Sequence, residues 1–294
     1  MNAIDEFRMK VMEKNASVKS FSNAWQVWRP KVDELIGEEP SAEQIFNLGD
    51  NLSEIFKFNK VEGRGQSAVS SGGAAWECLV VWYLNLVFHG TNVIAARRNQ
   101  AHIPPSILNA LSVTIANHST NSESDIIVFS VPQVGNLRNL KLSQIEELIT
   151  SNQLESELSV VQCKTNWNDN SQIPMLWDLI YNSTGQNRVA NVSVGINGVT
   201  PQSFRRFSYA FVTVPTQKET KIYKASGVDV LRVKNLTGGN FWGKPSSASI
   251  ASSINEYFGR NFASSFHGGV KSHISSQILL DDEYYARYRE LNFT

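Results

Sequence analysis

Residues 74–88, AAWECLVVWYLNLVF, are apolar at almost every position. A surface helix carries its apolar residues on one side, whereas a helix that is apolar nearly all round has to be enclosed by other elements. The longest apolar run, residues 78–88, is too short to cross a bilayer, which takes about 20 residues. The segment therefore predicts a helix at the centre of the fold, with the rest of the chain packed around it.

The residues before this helix divide into a helical part and a loop. Apolar positions recur at helical spacing through residues 4–60, and Ser41 followed by Glu43 and Gln44 indicates a helix start. Residues 61–73 are rich in glycine and serine, which predicts a flexible loop. We predict an N-terminal helical region, residues 1–60, followed by a larger region, residues 61–294.

Strand and helix patterns follow one another in the larger region. Strand patterns occupy 111–117, 124–132, 156–165, 209–215 and 228–233. Helix patterns occupy 141–150, 171–183, 246–260 and 281–290, while 90–106 has the pattern of a loop. This order predicts an α/β or α+β fold, with a central mixed β-sheet flanked by helices and the N-terminal helical region attached to it.

Two long polar side chains interrupt the strand pattern of 156–165. Gln162 and Lys164 are two residues apart, so they share one face of a strand. Leu158 and Val161 indicate that the strand is buried, and burying an unpaired ammonium group is costly. Either this is an edge strand with one wet face, or the polar face lines a cleft in which Lys164 has acidic partners.

Two acidic residues are candidates for that partnership. Asp125 opens the strand pattern of 124–132, and Glu77 lies in the core helix among apolar neighbours. A buried carboxylate needs a hydrogen-bond donor, a cation or a metal. The alternatives are an acid solvated at the end of a strand and an acid in the first turn of a helix, facing water. Glu123 is a further acid on the approach to this strand.

Three features occur in a fixed order along the chain: Glu77 in a helix, Asp125 at the start of a strand, and the triplet Gln162-Cys163-Lys164 in a later strand. This arrangement resembles the PD-(D/E)XK nuclease superfamily, in particular type II restriction endonucleases. In that family a helix carrying a glutamate precedes a meander of strands. One strand supplies an aspartate, and the next supplies an acidic-X-Lys triplet.

The resemblance covers roughly residues 70–215 and implies a restriction-endonuclease-like core within a nuclease domain, residues 61–294. Elements towards the C-terminus would be helical and contact DNA. The chain departs from the family motif at Ser124, where the family name gives proline, and at Gln162, where an acid is commoner. Variants with glutamine at this place are known in the family.

The resemblance also implies hydrolysis of DNA phosphodiester bonds with Mg²⁺, for which Mn²⁺ can substitute, and no organic cofactor. Such an ion lowers the pKa of bound water and prefers oxygen ligands. The expected ligands are the carboxylate of Asp125, the amide oxygen of Gln162, the main-chain carbonyl of Cys163 and the carboxylate of Glu77. Glu77 is included because Gln162 brings no charge. Lys164 is expected to hold the attacking water and to stabilise charge in the transition state.

Polar residues around this core are candidate contacts to double-stranded DNA. Amide side chains can bond base edges or phosphates, and the glycines of 61–73 allow close approach of the backbone. The candidates are Arg64, Arg97, Arg98, Asn166, Asn168, Asn170, Gln172, Arg205 and Arg206. For the arginines the alternative is plain surface charge. For the amides it is a turn with a helix cap at Ser171.

Charge and composition bear on the partners. The 27 basic and 27 acidic residues cancel, which argues against a strongly basic nucleic-acid binder but allows a local basic cleft. The N-terminus has no signal-peptide pattern, so we expect a cytoplasmic protein with no membrane partner, and the resemblance to restriction endonucleases implies a prokaryotic one. Cys78 and Cys163 are expected to be reduced core residues. Restriction enzymes act on palindromes, which makes a homodimer the default expectation.

Two other functions stay open at this point. One is a repair, recombination or Holliday-junction nuclease that has the same core. The other is a DNA-binding module with a dead site, which the neutral Gln162 favours. A metabolic α/β enzyme is disfavoured, because the chain has neither a phosphate-binding glycine loop after a strand nor a Gly-x-Ser-x-Gly motif.

Overall fold

In a computed structural model of the chain, the described residues are 2–58, 67–100, 102–121, 124–133, 144–164, 191–213, 226–242 and 254–291. Their helices are α1 (Ala3–Ala16), α2 (Lys19–Ile36), α3 (Ala42–Phe58), α4 (Ser67–Phe88), α5 (Pro105–Ala110), α6 (Ile145–Ser151), α7 (Val228–Thr237), α8 (Ile254–Arg260), α9 (Val270–Leu280) and α10 (Tyr284–Arg289). Their strands are β1 (Val93–Arg97), β2 (Ser112–Ile115), β3 (His118–Asn121), β4 (Ile126–Ser130), β5 (Glu157–Lys164), β6 (Val192–Val194), β7 (Arg206–Thr213) and β8 (Phe241–Trp242).

The main sheet of these described residues has five strands in the order β1-β4-β5-β7-β8. Strands β1, β4 and β5 form an antiparallel meander, while β7 runs parallel to β5 and β8 runs parallel to β7. Every residue of β4 is buried, and so is β5 as far as its last residue. The predicted central mixed sheet flanked by helices is therefore confirmed.

Helix α4 lies at the centre of the fold, as its sequence predicts. Every residue from Cys78 to Phe88 is fully buried. Asn85, the amide in this run, donates from Nδ2 to the carbonyl oxygen of Ala95 at 2.7 Å and accepts from the Ala95 N–H at 3.1 Å. This reciprocal pair of bonds satisfies a buried amide and fixes the position of α4 along strand β1.

The loop predicted for residues 61–73 is wrong from Ser67 onward, because α4 begins there. Gly72 and Gly73 lie inside the helix, where each glycine costs about 1 kcal/mol relative to alanine. Tertiary packing of the helix outweighs that local preference, since most helical stability in proteins comes from packing.

The predicted N-terminal helices form as α1, α2 and α3, and they pack on α4. The side chain of Asn15 donates to the Cys78 carbonyl at 2.8 Å. Arg8 is fully buried, pairs with Asp5 and donates to the main-chain carbonyl of Val93 at 2.7 Å. The N-terminal helices thus share one apolar core with α4 and the main sheet.

Helices from the end of the sequence cover α4 from another side. The indole N–H of Trp82 donates to the carbonyl of Tyr288 at 2.8 Å, and the hydroxyl of Tyr284 donates to the carbonyl of Leu86 at 2.6 Å. The predicted helix 281–290 is confirmed as α10, and 246–260 is confirmed as α8 over its described residues. Helix α9 was not predicted, because Leu279 and Leu280 are exposed and break its apolar period.

Two strand predictions and one loop prediction need correction. Residues 228–233 lie in helix α7 rather than in a strand. Residues 90–106, predicted as a loop, contain strand β1 and the start of α5; β1 is buried on both faces and so lacks the alternation that marks a half-buried strand. The strand predicted at 111–117 forms as β2, but in a separate three-stranded sheet with the order β3-β2-β6.

The other strand predictions are confirmed as β4, β5 and β7, and the helix predicted at 141–150 is confirmed as α6 over its described part. The helix predicted at 171–183 lies outside the described residues. Within the described ranges, no helix combines the length and the apolar character needed to cross a membrane.

Candidate active site

The ends of four neighbouring strands lie side by side along one edge of the main sheet, the edge that is formed by strand ends and not by an outer strand. Strand β1 ends at Arg97, β4 begins just after Asp125, β5 ends at Lys164 and β7 ends at Thr213. The register pairs Arg97 with Ile126 and Lys164 with Thr213, so these strand ends are level with one another. We call this edge, defined by Arg97, Asp125, Lys164 and Thr213, the site edge.

The carboxylate of Asp125 is held by strand β5. Pairing of Ile126 with Val161 places Asp125 opposite Gln162. The side-chain Nε2 of Gln162 and the main-chain N–H of Cys163 both donate to Oδ2 of Asp125, each at 2.7 Å. The sequence-predicted aspartate and triplet are therefore brought together.

Burial, and after it the negative charge of Glu77, raise the pKa of Asp125 to about 6. The N–H of Cys163 and the charges of Lys164 and Arg97 act in the opposite direction, towards the ionised form. Two carboxylates, of Asp125 and Glu77, and two cationic side chains, of Lys164 and Arg97, therefore interact electrostatically at the site edge. A carboxyl group with a raised pKa among charged neighbours is typical of functional sites.

The side-chain amide of Gln162 has a hydrogen-bond partner for its nitrogen but none for its oxygen. Its side chain is 3% exposed, and Nε2 is bonded to Asp125. Its Oε1 is buried without a hydrogen-bond partner among the described residues. Leaving a buried polar atom unpaired costs about 1–3 kcal/mol. Such an atom marks a place where a ligand, a water molecule or an ion completes the site.

The polar face of β5 continues onto β7. Lys164 pairs with Thr213 in the parallel register, so the two side chains point to the same face as Gln162. The hydroxyl of Thr213 is fully buried and, within the described part of the chain, has no hydrogen-bond partner. The sequence indicated Gln162 and Lys164 but not Thr213, because its position depends on the pairing of two strands 49 residues apart.

Glu77 reaches the site edge through the attachment of α4 to β1. Asn85 lies beside Ala95, so distances along α4 and β1 can be counted from this pair. From Asn85 back to Glu77 the helix rises about 12 Å, and from Ala95 to Arg97 the strand extends about 7 Å in the same direction. The long side chains of Glu77 and Arg97 span the difference between these two lengths. Nε and Nη2 of Arg97 both lie 2.8 Å from Oε2 of Glu77.

Glu77 is paired with Arg97 at the site edge and does not face water. Glu77 is in the interior of α4 and its side chain is 22% exposed, so the alternative of a first-turn acid facing water is wrong. Arg97 was proposed as a DNA contact; it is 14% exposed and bonded to Glu77. Arg97 follows the buried run 93–96 directly, which is the one sequence signal that sets it apart from Arg98.

The two cysteines are unpaired and buried, as expected. Burial raises the pKa of Cys78 to about 12 and raises that of Cys163 well above its usual value. Neutral, buried thiols are poor nucleophiles and poor metal ligands. Cys163 therefore contributes to the site edge through its main chain.

The oxygen atoms at the site edge suit Mg²⁺. The described residues contain no group of three or more His, Cys, Asp or Glu side chains placed to hold a metal. The available donors are the carboxylate of Asp125, the unpartnered Oε1 of Gln162, the carbonyl of Cys163 and, once separated from Arg97, the carboxylate of Glu77. These are hard oxygen donors, which fit Mg²⁺ or Mn²⁺ and leave room for water ligands.

Two predicted contacts lie far from this edge. Arg206 pairs with Glu157 in the register, seven residues before Lys164, which is about 23 Å along the strand. Arg205 donates to Oε1 of Glu157 at 2.6 Å and to the hydroxyl of Ser264 at 3.1 Å. The expectation that Arg205 and Arg206 flank the site is therefore wrong. Whether they touch DNA elsewhere stays a prediction.

Arg98 is next to the site edge, where its N–H donates to the Asp125 carbonyl at 3.0 Å. The remaining candidates lie outside the described residues: Arg64, Glu123, Asn166, Asn168, Asn170, Ser171 and Gln172. Residues 165–172 follow directly on Lys164 in the sequence.

No protein-family model matches the chain, and no curated protein or solved structure matches it either.

Proposed function

We propose that the protein is a Mg²⁺-dependent endonuclease that makes sequence-specific double-strand cuts in DNA, of the type II restriction class. The observation that carries this proposal is the grouping at one sheet edge of Asp125, Lys164 and the buried, unpartnered Oε1 of Gln162. A carboxylate and a neutral oxygen beside a lysine are the groups needed to hold a hard cation next to a phosphate.

The order of the elements supports the same proposal. Helix α4, which carries Glu77, precedes an antiparallel meander of β1, β4 and β5, and β7 then runs parallel to β5. Asp125 stands at the start of the second of these strands, and Lys164 ends the third. This is the order of helix, aspartate strand and triplet strand that the family resemblance implies.

The chemistry supplied by a bound Mg²⁺ would be a water of lowered pKa and neutralisation of charge on the phosphate. Asp125, Oε1 of Gln162 and the Cys163 carbonyl would hold the ion. The hydrogen bonds from Gln162 Nε2 and the Cys163 N–H keep the Asp125 carboxylate in one orientation, so little reorganisation is needed when the ion binds. Lys164 would donate to the attacking water and stabilise the extra negative charge of the transition state.

The proposed partner is double-stranded DNA, bound by a homodimer. A palindromic site presents the same groups twice, and a protein with twofold symmetry contacts both halves with one surface. As part of a restriction–modification system the enzyme would act in the cytoplasm of a prokaryotic cell.

A plasmid digestion tests the proposal. Wild-type protein with Mg²⁺ should give discrete fragments, and a chelator should abolish them. Lys164→Ala should lose cleavage but keep most DNA affinity, because one cation among many phosphate contacts is a small share of binding. Lys234→Ala removes an exposed lysine on α7 and serves as the matched control, with unchanged cleavage. Full activity of Lys164→Ala would refute the assignment of the site.

One observation favours a second candidate, a DNA-binding module that does not cut. Gln162 is neutral, and Glu77 is already paired with Arg97, so the site edge is charge-balanced without a metal. Binding of DNA with no cleavage under any divalent ion would support this candidate. Smeared products or cleavage confined to branched DNA would instead indicate a non-specific or a repair-type nuclease with the same core.

A further inference from the structure

Glu77 is the second carboxylate of the site edge, and it is already paired with the guanidinium of Arg97. Two nitrogen atoms of Arg97 contact a single oxygen, Oε2, at 2.8 Å each. Both side chains are mostly buried, at 14% and 22% exposure. A guanidinium held in this way competes directly with any metal for the same carboxylate.

The charges of the site edge explain why this competition matters. Asp125 and Glu77 supply two negative charges, and Arg97 and Lys164 supply two positive charges, so the group is neutral before anything binds. A divalent cation is drawn weakly to a neutral site, whereas a site with an excess negative charge draws it strongly. The phosphate of DNA supplies negative charge and is also an anion that a guanidinium binds well.

We propose that Arg97 is a positioning residue that holds Glu77 in the metal-free protein and releases it to the metal as DNA phosphate arrives. This inference rests on the proposed nuclease function and adds a residue to it. Arg97 is the last residue of strand β1, at the site edge. Its guanidinium can therefore turn outward towards a phosphate while its main chain stays in the register with Ile126.

Metal and DNA should then bind cooperatively. Without DNA, the metal has to displace Arg97 from Glu77 and leave a buried guanidinium without a partner. With DNA present, the guanidinium of Arg97 moves from the carboxylate of Glu77 to a phosphate. Linkage requires that each ligand raises the affinity for the other by the same factor. The ion pair would thus keep the metal site weak until the substrate is in place.

A Mn²⁺ titration of the DNA-free protein tests the inference without using activity. Arg97→Met keeps the length of the side chain and removes its charge, which frees Glu77, so Mn²⁺ should bind at least tenfold more tightly than to wild type. Arg97→Lys keeps the positive charge and serves as the control, with an affinity within threefold of wild type. The double variant Arg97→Met/Glu77→Gln should lose the gain, because the gain comes from the freed carboxylate.

A second measurement uses the wild-type protein, so it does not depend on the folding of a variant. Phenylglyoxal modifies accessible arginines, and peptide mass spectrometry measures the extent at each one. A saturating concentration of Mn²⁺ without DNA should speed modification of Arg97 more than threefold, because at that concentration the metal displaces Arg97 from Glu77. Arg205, bonded to Glu157 far from the site edge, should not change and serves as the internal reference.

The outcomes separate the two proposals. If wild type cuts DNA with Mn²⁺ but Arg97→Met shows no gain in Mn²⁺ affinity, or modification of Arg97 is unchanged by Mn²⁺, the role of Arg97 is refuted and the nuclease stands. If wild type neither binds Mn²⁺ nor cuts any DNA, the proposed function itself is refuted. If Arg97→Met binds Mn²⁺ more tightly and then cuts more slowly at saturating metal, both proposals are supported.

Discussion

Replacing Asp125 by asparagine should stabilise the protein while abolishing its proposed activity. Both hydrogen bonds that Asp125 accepts go to one oxygen, Oδ2. Asparagine has the same shape, and its single carbonyl oxygen can take that place and keep both bonds. The substitution therefore removes a charge at the site edge without removing the contacts that hold the strand ends together.

The size of the effect follows from the pKa of Asp125, which is raised from 3.8 to about 6. A folded-state pKa above the unfolded value means that folding favours the protonated form, so wild-type stability is lost as pH rises from about 3.8 to 6. Each pKa unit is worth about 1.4 kcal/mol, so the ionised carboxylate destabilises the folded protein by at most about 3 kcal/mol at pH 8. At pH 5 about half of that cost is present. Asparagine does not titrate and avoids this cost.

Urea unfolding of wild type and Asp125→Asn at pH 5 and pH 8, in the presence of a chelator, measures the difference. The variant should be more stable at pH 8, and its advantage should shrink by about half at pH 5. Adding Mn²⁺ should stabilise wild type and not the variant, because a ligand stabilises only the state that binds it. A variant that is equally or less stable than wild type at pH 8 would refute the electrostatic account of the site.

Three further predictions concern the same structure. Burial lowers the pKa of His89 to about 4, below the unfolded value of 6.5, so stability should fall by at most about 3 kcal/mol as pH drops from 6.5 to 4. Denaturation of a His89→Gln variant across this range should lack that loss. A Cβ at Gly49 would lie 2.5 Å from Oη of Tyr83 and 2.7 Å from Cγ1 of Ile254, so Gly49→Ala should lower the unfolding free energy by about 1–3 kcal/mol despite the better helix propensity of alanine. Only ionised Asp125 can bind a cation, so calorimetry should find Mn²⁺ affinity about tenfold lower at pH 5 than at pH 7.

The sequence predicts those parts of the fold whose pattern is local. The buried helix α4 and the strands β4, β5 and β7 follow from apolar runs of the right length. Strand β1 does not, because its first four residues are buried on both faces and show no periodicity. Residues 228–233 alternate like a strand but form the helix α7, so packing overrides their local preference.

For the site, the sequence places Asp125, Gln162 and Lys164 because each interrupts or opens an apolar strand. It gives no sign of the partner of Glu77. Arg97 is twenty residues away along the chain and meets Glu77 only because Asn85 bonds to Ala95 and sets the position of the helix along the strand. Contacts of this kind depend on tertiary packing, which one sequence does not reveal.

The enclosure of α4 by helices from both ends of the sequence also bears on when the site can form. The bond from Trp82 to the Tyr288 carbonyl joins residues 206 positions apart, and Arg8 bonds to the Val93 carbonyl 85 positions away. Contacts between distant residues slow folding, because long loops have to close first. During synthesis, α4 cannot be fully enclosed until α10 has left the ribosome. Nascent chains, and variants cut before α10, should therefore hold α4, and with it the ion pair of Glu77 and Arg97, less firmly than a chain that includes α10.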